Sequence, residues 1–312
     1  MKIHFAHRTF PWESEARGRA HVHVVIIGFG LGDVPAKRLY DYDHDPLNPA
    51  VSVVSNISPY LVEGSDVVVA ARSTPMCAVP EMVYGSFALD DGNYTLARED
   101  HDALLAENSE ASNYLRPFIG GREMLHSEER WCLWLKDAAP SDIRKLSGIM
   151  RRVEAVQKWR AASGRETTRK LAITPTIFAE VRQPGTPYLA IPTLSSERRL
   201  YIPISFLTPK TVASNQLYVL PDATNFHFGI LSSAMHMAWV KQVCGRLESR
   251  YRYSNAIVYN NYPWPEAATP AQRSAVEKAA QAVLDARAKF PASTLADLYD
   301  PLASAGGIAS GA

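Results

Sequence analysis

The 312 residues allow about two domains with substantial cores, and 46% hydrophobic with 21% charged residues is the composition of an ordinary globular chain. A net charge of +1 excludes nucleic-acid binding by overall basicity, so any such role has to rest on how the charge is distributed. Three widely spaced cysteines (Cys77, Cys132, Cys244) without a Cys-x-x-Cys pair argue against a disulfide framework or a zinc site and suit a reducing, cytoplasmic setting.

The first residues, Met1-Lys-Ile-His-Phe, open no apolar core of signal-peptide length, and no run of about 18 apolar residues follows, so no membrane span is expected. Ile3–His7 and the β-branched run Val22–Phe29 read as strands, either a hairpin or neighbours in a sheet. From Val51 the chain reads as irregular, with a strand candidate at Asp66–Ala71 and a turn at Asp90-Asp-Gly-Asn93. Asp100–Ala111 suggests an acidic helix. Ser141–Ala162 predicts a helix with Ser141 as N-cap and Ile143, Leu146, Ile149, Met150, Val153 and Val156 on its apolar stripe. Strand-like pieces follow at Thr176–Val181, Tyr188–Pro192, Leu200–Phe206 and Leu217–Leu220. Phe228–Val243 has helical length, with Gly245 as its expected stop. Thr269-Pro-Ala-Gln272 is a capping box with proline at the first helical position, leading a helix to about Phe290. The tail 303–312 holds almost only small residues and cannot form a packed core, so it is expected to be disordered.

Two segments point to nucleic acid. Between Arg144 and Lys170 stand nine basic residues (Arg144, Lys145, Arg151, Arg152, Lys158, Arg160, Arg165, Arg169, Lys170) against two acidic ones, Glu154 and Glu166. Clustered Lys and Arg neutralise phosphates and release counterions, although a solvated helix face would have the same composition. The second is Arg246-Leu-Glu-Ser-Arg-Tyr-Arg-Tyr253. Read as one extended strand, it puts Arg246, Glu248, Arg250 and Arg252 on one face and Leu247, Ser249, Tyr251 and Tyr253 on the other. An Arg fork fits the two major-groove acceptors of guanine and a Glu accepts from the cytosine amine, so Glu248 and Arg250 could address both halves of a G·C pair. The same spacing would equally let Glu and Arg pair with each other on an exposed strand.

Other motifs carry less. Gly28-Phe-Gly30-Leu-Gly32 after a strand has the look of a nucleotide loop, which would make a small nucleotide-dependent enzyme. Pro35 and the turn-like Asp41–Pro49 follow in place of a helix, and no acid stands about 20 residues on. Ser58-Pro-Tyr60 lacks the second proline of a base-methylating tetrapeptide, and the histidines His4, His7, His21 and His23 show no metal-ligand spacing. No Gly-x-Ser-x-Gly elbow, HExxH or P-loop is present, so neither catalytic nor metal-binding residues are expected.

Several segments resemble one family in order. Phe5-Ala-His-Arg-Thr-Phe-Pro-Trp12 with Ala20-His-Val-His-Val-Val-Ile-Ile-Gly28 is similar to the end of the catalytic domain of MmeI-like DNA adenine methyltransferases. Asn56–Gly64, Phe118-Ile-Gly-Gly121, Arg130–Leu135, Ser195–Arg199, Arg250–Ser254 and Val258–Pro265 resemble the target-recognition domain, and Leu295–Pro301 the C-terminal helical segment. The resemblance implies an α+β fold: a strand-rich target-recognition domain with packed helices over 61–265, preceded over 1–60 by the terminal strands of a Rossmann-like methyltransferase domain. A helical segment over 266–302 and the tail 303–312 follow. It further implies base reading of double-stranded DNA by Glu248, Arg250 and Arg252, and by Asn215 and Gln216 in a second loop. Contacts to the DNA backbone are expected from Arg151, Arg152, Lys158, Arg165, Arg169, Lys170, Arg198 and Arg199. The family's S-adenosylmethionine site and catalytic Asn-Pro-Pro-aromatic motif would precede residue 1, so this chain is expected to hold no cofactor and to direct a methyltransferase half or subunit upstream of it. An inert remnant, or a nonspecific nucleic-acid binder, is the competing expectation.

Overall fold

The computed structural model describes residues 1–12 and 22–302 and is of the α+β class. The β-branched and aromatic runs at the start form β1 (Lys2–Trp12), β2 (Val22–Gly30), β3 (Lys37–Asp41) and β4 (Ala50–Val54), in the sheet order β2-β1-β3-β4. β1 runs antiparallel to β2 and parallel to β3, and β4 closes the edge antiparallel to β3. β4 lies where irregular chain is expected from the sequence; its Val54 is buried with Ala6 and Ile57 in a small core, while Val51 and Val53 are exposed. Asp66–Ala71 is not a strand. Its backbone is held by scattered partners: Val69 N–H donates to the Tyr60 hydroxyl at 2.8 Å, and Asn261 Nδ2 donates to the Ala70 carbonyl at 3.0 Å.

The glycines of the nucleotide-like loop lie inside β2. Gly28 pairs with Phe5 and Gly30 with Lys2 across the ladder. A Cβ on Gly28 would stand 2.0 Å from the Phe5 ring and one on Gly30 2.7 Å from the His4 ring. These glycines make room for cross-strand aromatic rings, and the chain continues through a short connection into β3 with no helix between.

Most of the remaining chain packs around two large cores. In one, the fully buried strand Tyr188–Pro192 pairs antiparallel with Ser205–Leu207 and with Leu217–Pro221, the latter pairing in turn with Val83–Tyr84. Helices Asn225–Leu231 and Ala234–Val243, together with Tyr251, Tyr253, Tyr259 and Trp264, complete that core. In the other, the sheet of Val212–Ala213, Leu115–Ile119, Trp131–Leu133 and Thr95–Leu96 packs with the helices Arg98–Glu107 and Ser147–Ala161. Thr176–Val181 contributes only the isolated bridge of Glu180 with Phe87, and of Leu200–Phe206 only the end is strand.

Three helix expectations need correction. Ser141 caps nothing: a four-residue helix, Pro140–Ile143, starts after Ala139, and a second, Ser147–Ala161, starts after Leu146. The break lets Gly148 approach the helix Arg98–Glu107, where a Cβ would stand 2.7 Å from Leu104 and 2.8 Å from the Glu107 carboxylate. The segment 228–243 is likewise two helices, because the side chain of Ser233 accepts from the His236 N–H and starts a new one. Gly245 is not a helix stop; the helix ends at Cys244, and Gly245 opens a strand. The helix Pro270–Ala288 begins with the expected Thr269–Gln272 box. Its Arg287 donates to the Ile204 carbonyl at 2.8 Å and to the Tyr299 hydroxyl, tying down the short helix Leu295–Leu298. The tail 303–312 lies outside the described residues.

Candidate nucleic-acid interface

Arg246 to Arg252 is not one strand. Gly245–Leu247 and Arg250–Arg252 form an antiparallel hairpin closed by Glu248-Ser249, with Arg246 opposite Tyr251 and Leu247 opposite Arg250. Directly opposed residues share a face. Arg246 therefore lies on the Tyr251 side, and Arg250 and Arg252 lie on the other with Gly245 and Leu247. Glu248 has φ 57° while Ser249 is not in the left-handed region. That sign pattern belongs to a type II′ turn, whose first central position usually holds glycine. A glutamate there is strained, and nothing in its residue type announced a turn.

The hairpin is fixed from beneath. Tyr251 and Tyr253 are 3% and 2% exposed, and the Tyr253 hydroxyl meets the Nε2 of His236 at 3.1 Å. Complete burial pushes the His236 imidazole down to about 4, so it is neutral. Above this anchor Arg250 and Arg252 are exposed, and Arg250 Nη2 donates to Glu248 Oε2 at 2.8 Å. The two predicted readers thus pair with each other.

The second predicted loop lies beside the first. Leu194–Ser195 pairs antiparallel with Arg250–Arg252. Tyr253 N–H donates to the Thr193 carbonyl at 2.9 Å, and Thr193 N–H donates to the Gln216 carbonyl at 3.0 Å. Thr193 Oγ1 donates to that same carbonyl at 2.9 Å. Asn215 and Gln216 are both exposed in the turn between Val212–Ala213 and Leu217–Pro221. The Gln216 amide lies across Gly120, where a Cβ would stand 2.5 Å from its Oε1. Arg198, exposed, and Arg199, half-buried, follow three and four residues after Ser195. Burial lowers the Arg199 guanidinium pKa, against the opposing pull of Asp300. Glu248, Arg250, Arg252, Asn215, Gln216, Arg198 and Arg199 thus come from three chain segments joined at Thr193–Ser195.

The basic run 144–170 belongs to the other core, and most of its charge is already matched. Arg151 makes two hydrogen bonds to Glu107, at 3.0 and 2.5 Å. Arg152 pairs with Asp100 at 3.0 Å and also donates to the Asn93 carbonyl. Lys170 pairs with Glu166 at 2.8 Å, and Arg169 donates to the Ser163 and Gly164 carbonyls. Arg160 is wholly buried and donates to the carbonyls of Leu89, Leu171, Thr174, Ile177 and Ala88. Lys158 and Arg165 are exposed and have no side-chain partner among the described residues. Counting charge along the chain missed this because the opposing carboxylates, Asp100 and Glu107, lie more than forty residues upstream.

The two motifs with a passing likeness to cofactor or base-binding loops are occupied by the protein itself: Gly28 and Gly30 face the Phe5 and His4 rings, and the Tyr60 hydroxyl accepts from the Val69 N–H. Among the described residues no cluster of His, Cys, Asp and Glu could hold a metal, and no helix is long and apolar enough to cross a membrane.

Comparison with known proteins gives a consistent picture. The family model "MmeI, target recognition domain" matches residues 63–266, that of the MmeI C-terminal domain matches 268–306, and that of the MmeI DNA-methyltransferase domain matches 1–41. "DNA methyltransferase A" of Bacillus subtilis (strain 168) is 35% identical over 301 residues, covering 96% of this chain and 33% of that protein. The solved structure of the type IIL restriction-modification enzyme MmeI in complex with DNA superposes with a TM-score of 0.91 at 44% identity, over 97% of this chain and 40% of that one. The chain thus spans a third of the curated relative and two fifths of the solved one.

Proposed function

The chain belongs to the MmeI family, and from that premise we propose that it reads a specific sequence in double-stranded DNA and directs methylation of adenine there. The observation that carries this reading is the joint at Thr193, which hangs the 245–252 hairpin and the Asn215-Gln216 turn side by side with their polar side chains exposed. In this reading Arg250 addresses guanine, Glu248 the cytosine amine, Asn215 or Gln216 adenine, and Arg252 a neighbouring position. Their mutual 2.8 Å bond keeps Glu248 and Arg250 oriented as a unit until bases replace it. Arg198, Arg199, Lys158, Arg165 and Arg169 contact the DNA backbone, while Arg151, Arg152 and Lys170 do so only by giving up carboxylate partners and contribute less.

Methyl transfer falls to a methyltransferase segment that binds S-adenosylmethionine and precedes residues 1–60 in the domain order; residues 61–265 are the recognition domain and 266–302 a helical brace. The apolar sheet of β1–β4 supports this division. Val25, Ile26 and Phe29 on β2 and Val51 and Val53 on β4 are exposed, and a sheet with apolar residues on both faces is built to be covered on both. A cytoplasmic location, where DNA is reached, goes with this function. Selection from random duplexes at near-physiological salt tests the reading. Enrichment of a short motif supports it; flat enrichment with steep salt dependence would replace it with nonspecific phosphate binding.

A further inference from the structure

We propose that Arg246 is a positioning residue for sequence reading: it holds the strained Glu248-Ser249 turn in the one attitude that presents Glu248 and Arg250 together. The proposal rests on the base-reading role given above to that pair.

Arg246 stands on the hairpin face opposite Arg250 and Arg252, and its contacts are turned toward the protein. Its guanidinium carbon lies 3.9 Å from the centroid of the Tyr251 ring, and that ring is almost wholly buried. Nη1 donates to the Ser249 carbonyl at 3.1 Å, and Nη2 reaches the Lys241 carbonyl at 3.5 Å. The guanidinium therefore links three places: the core, the last turn of the helix Ala234–Val243, and the turn that carries Glu248. Among the described residues no other side chain donates to the backbone of Glu248 or Ser249. A non-glycine residue at φ 57° persists only where its surroundings over-determine it. Arg246 supplies that constraint, and its loss lets Glu248 and Arg250 swing apart without removing either.

The role depends on a planar fork long enough to lie on the Tyr251 ring and reach the Ser249 carbonyl at the same time. A glutamine is two side-chain atoms too short to reach the Ser249 carbonyl from the same backbone position, and a lysine keeps the charge but loses the plane and the fork, so neither makes both contacts at once. A phosphate contact would instead tolerate lysine far better than glutamine.

The test uses the 312-residue chain, the duplex it selects, and a set of duplexes each changed at one base pair. Arg246→Gln and Arg246→Lys are each expected to lose about tenfold in discrimination at the single position governed by Glu248 and Arg250, with other positions and the salt slope unchanged. Uniform weakening that is worse for Gln than for Lys, with the salt slope reduced by about one, would make Arg246 a phosphate contact and overturn the proposal. Unchanged discrimination in both variants would also overturn it. As a control, Glu248→Lys combined with Arg250→Asp must change the preferred base at that same position. If the control changes nothing, the base-reading role itself is wrong; if only the Arg246 variants are silent, the positioning role alone is wrong.

Discussion

The 245–252 hairpin and the 144–170 run both look like polyanion sites when read along the chain, yet they differ in where their charge goes. In the run, Arg151 and Arg152 are answered by Glu107 and Asp100 from a neighbouring helix, and Arg160 is spent on five backbone carbonyls in the core. In the hairpin, the buried ends are tyrosines, Arg246 is held on Tyr251 and two backbone carbonyls, and Glu248, Arg250 and Arg252 are exposed with one pair between them. Local charge density is a property of space, and only short-range partners can be counted from sequence.

This contrast can be broken at several points. The largest effect is expected inside the run: Arg160→Met leaves the Leu89 and Ile177 carbonyls without a donor, while those of Ala88, Leu171 and Thr174 keep backbone N–H partners. At about 1–3 kcal/mol per unanswered buried carbonyl, it should cost about 2–5 kcal/mol in urea unfolding. A loss under about 1 kcal/mol would mean that Arg160 is not structural. Next comes the anchor beneath the hairpin. His236 is neutral with a pKa of about 4, against 6.5 for the free side chain, so the unfolded chain takes up its proton first as the pH falls. Its contribution is intact above pH 6.5 and is lost progressively down to about 4. At about 1.4 kcal/mol per pH unit the loss approaches roughly 3 kcal/mol. Comparing His236→Asn with the parent chain at pH 7 and pH 4.5 isolates it: the variant should show the shallower decline, and parallel declines would contradict the burial argument.

Glu248→Gly should sharpen the comparison from the other side. It relieves a left-handed backbone worth about 1–2 kcal/mol but adds chain entropy, so unfolding should show stability unchanged or raised by up to about 1 kcal/mol while discrimination at one base pair falls. A destabilised variant would mean that the carboxylate serves the fold. The smallest effect belongs to the matched charges: Arg151→Gln should alter DNA affinity less than twofold, whereas Lys158→Gln should reduce the salt slope by about one. Equal effects in a salt titration would erase the distinction between matched and free cations.

Legibility followed the range of the forces involved. The Thr269 box, the strands Tyr188–Pro192 and Leu217–Pro221, and the aromatic-rich β1 and β2 declare themselves because capping and β-branched patterning are local. The Glu248 turn was hidden because tertiary packing of Tyr251 and Tyr253 overrides the turn chemistry that its residue types lack. The interrupted helices are set by a close approach at Gly148 and by a cap at Ser233, and the latter was readable as a Ser-Ser pair inside the apolar run. For the candidate site, the sequence offers Glu248, Arg250 and Arg252 as one strand face, and the hairpin that separates Arg246 from them is not written in the residue types. The placement of Arg246 on the opposite face required the ladder register.

The central claim is that the hairpin reads bases and the basic run only holds phosphate. Its most direct test is a comparison of the duplex motifs selected by the parent chain and by the variant carrying Glu248→Lys and Arg250→Asp. The account predicts two motifs identical at every position but one, where the preferred base pair changes with a discrimination of about tenfold or more. Motifs that weaken evenly across all positions, or that do not change at all, would contradict it.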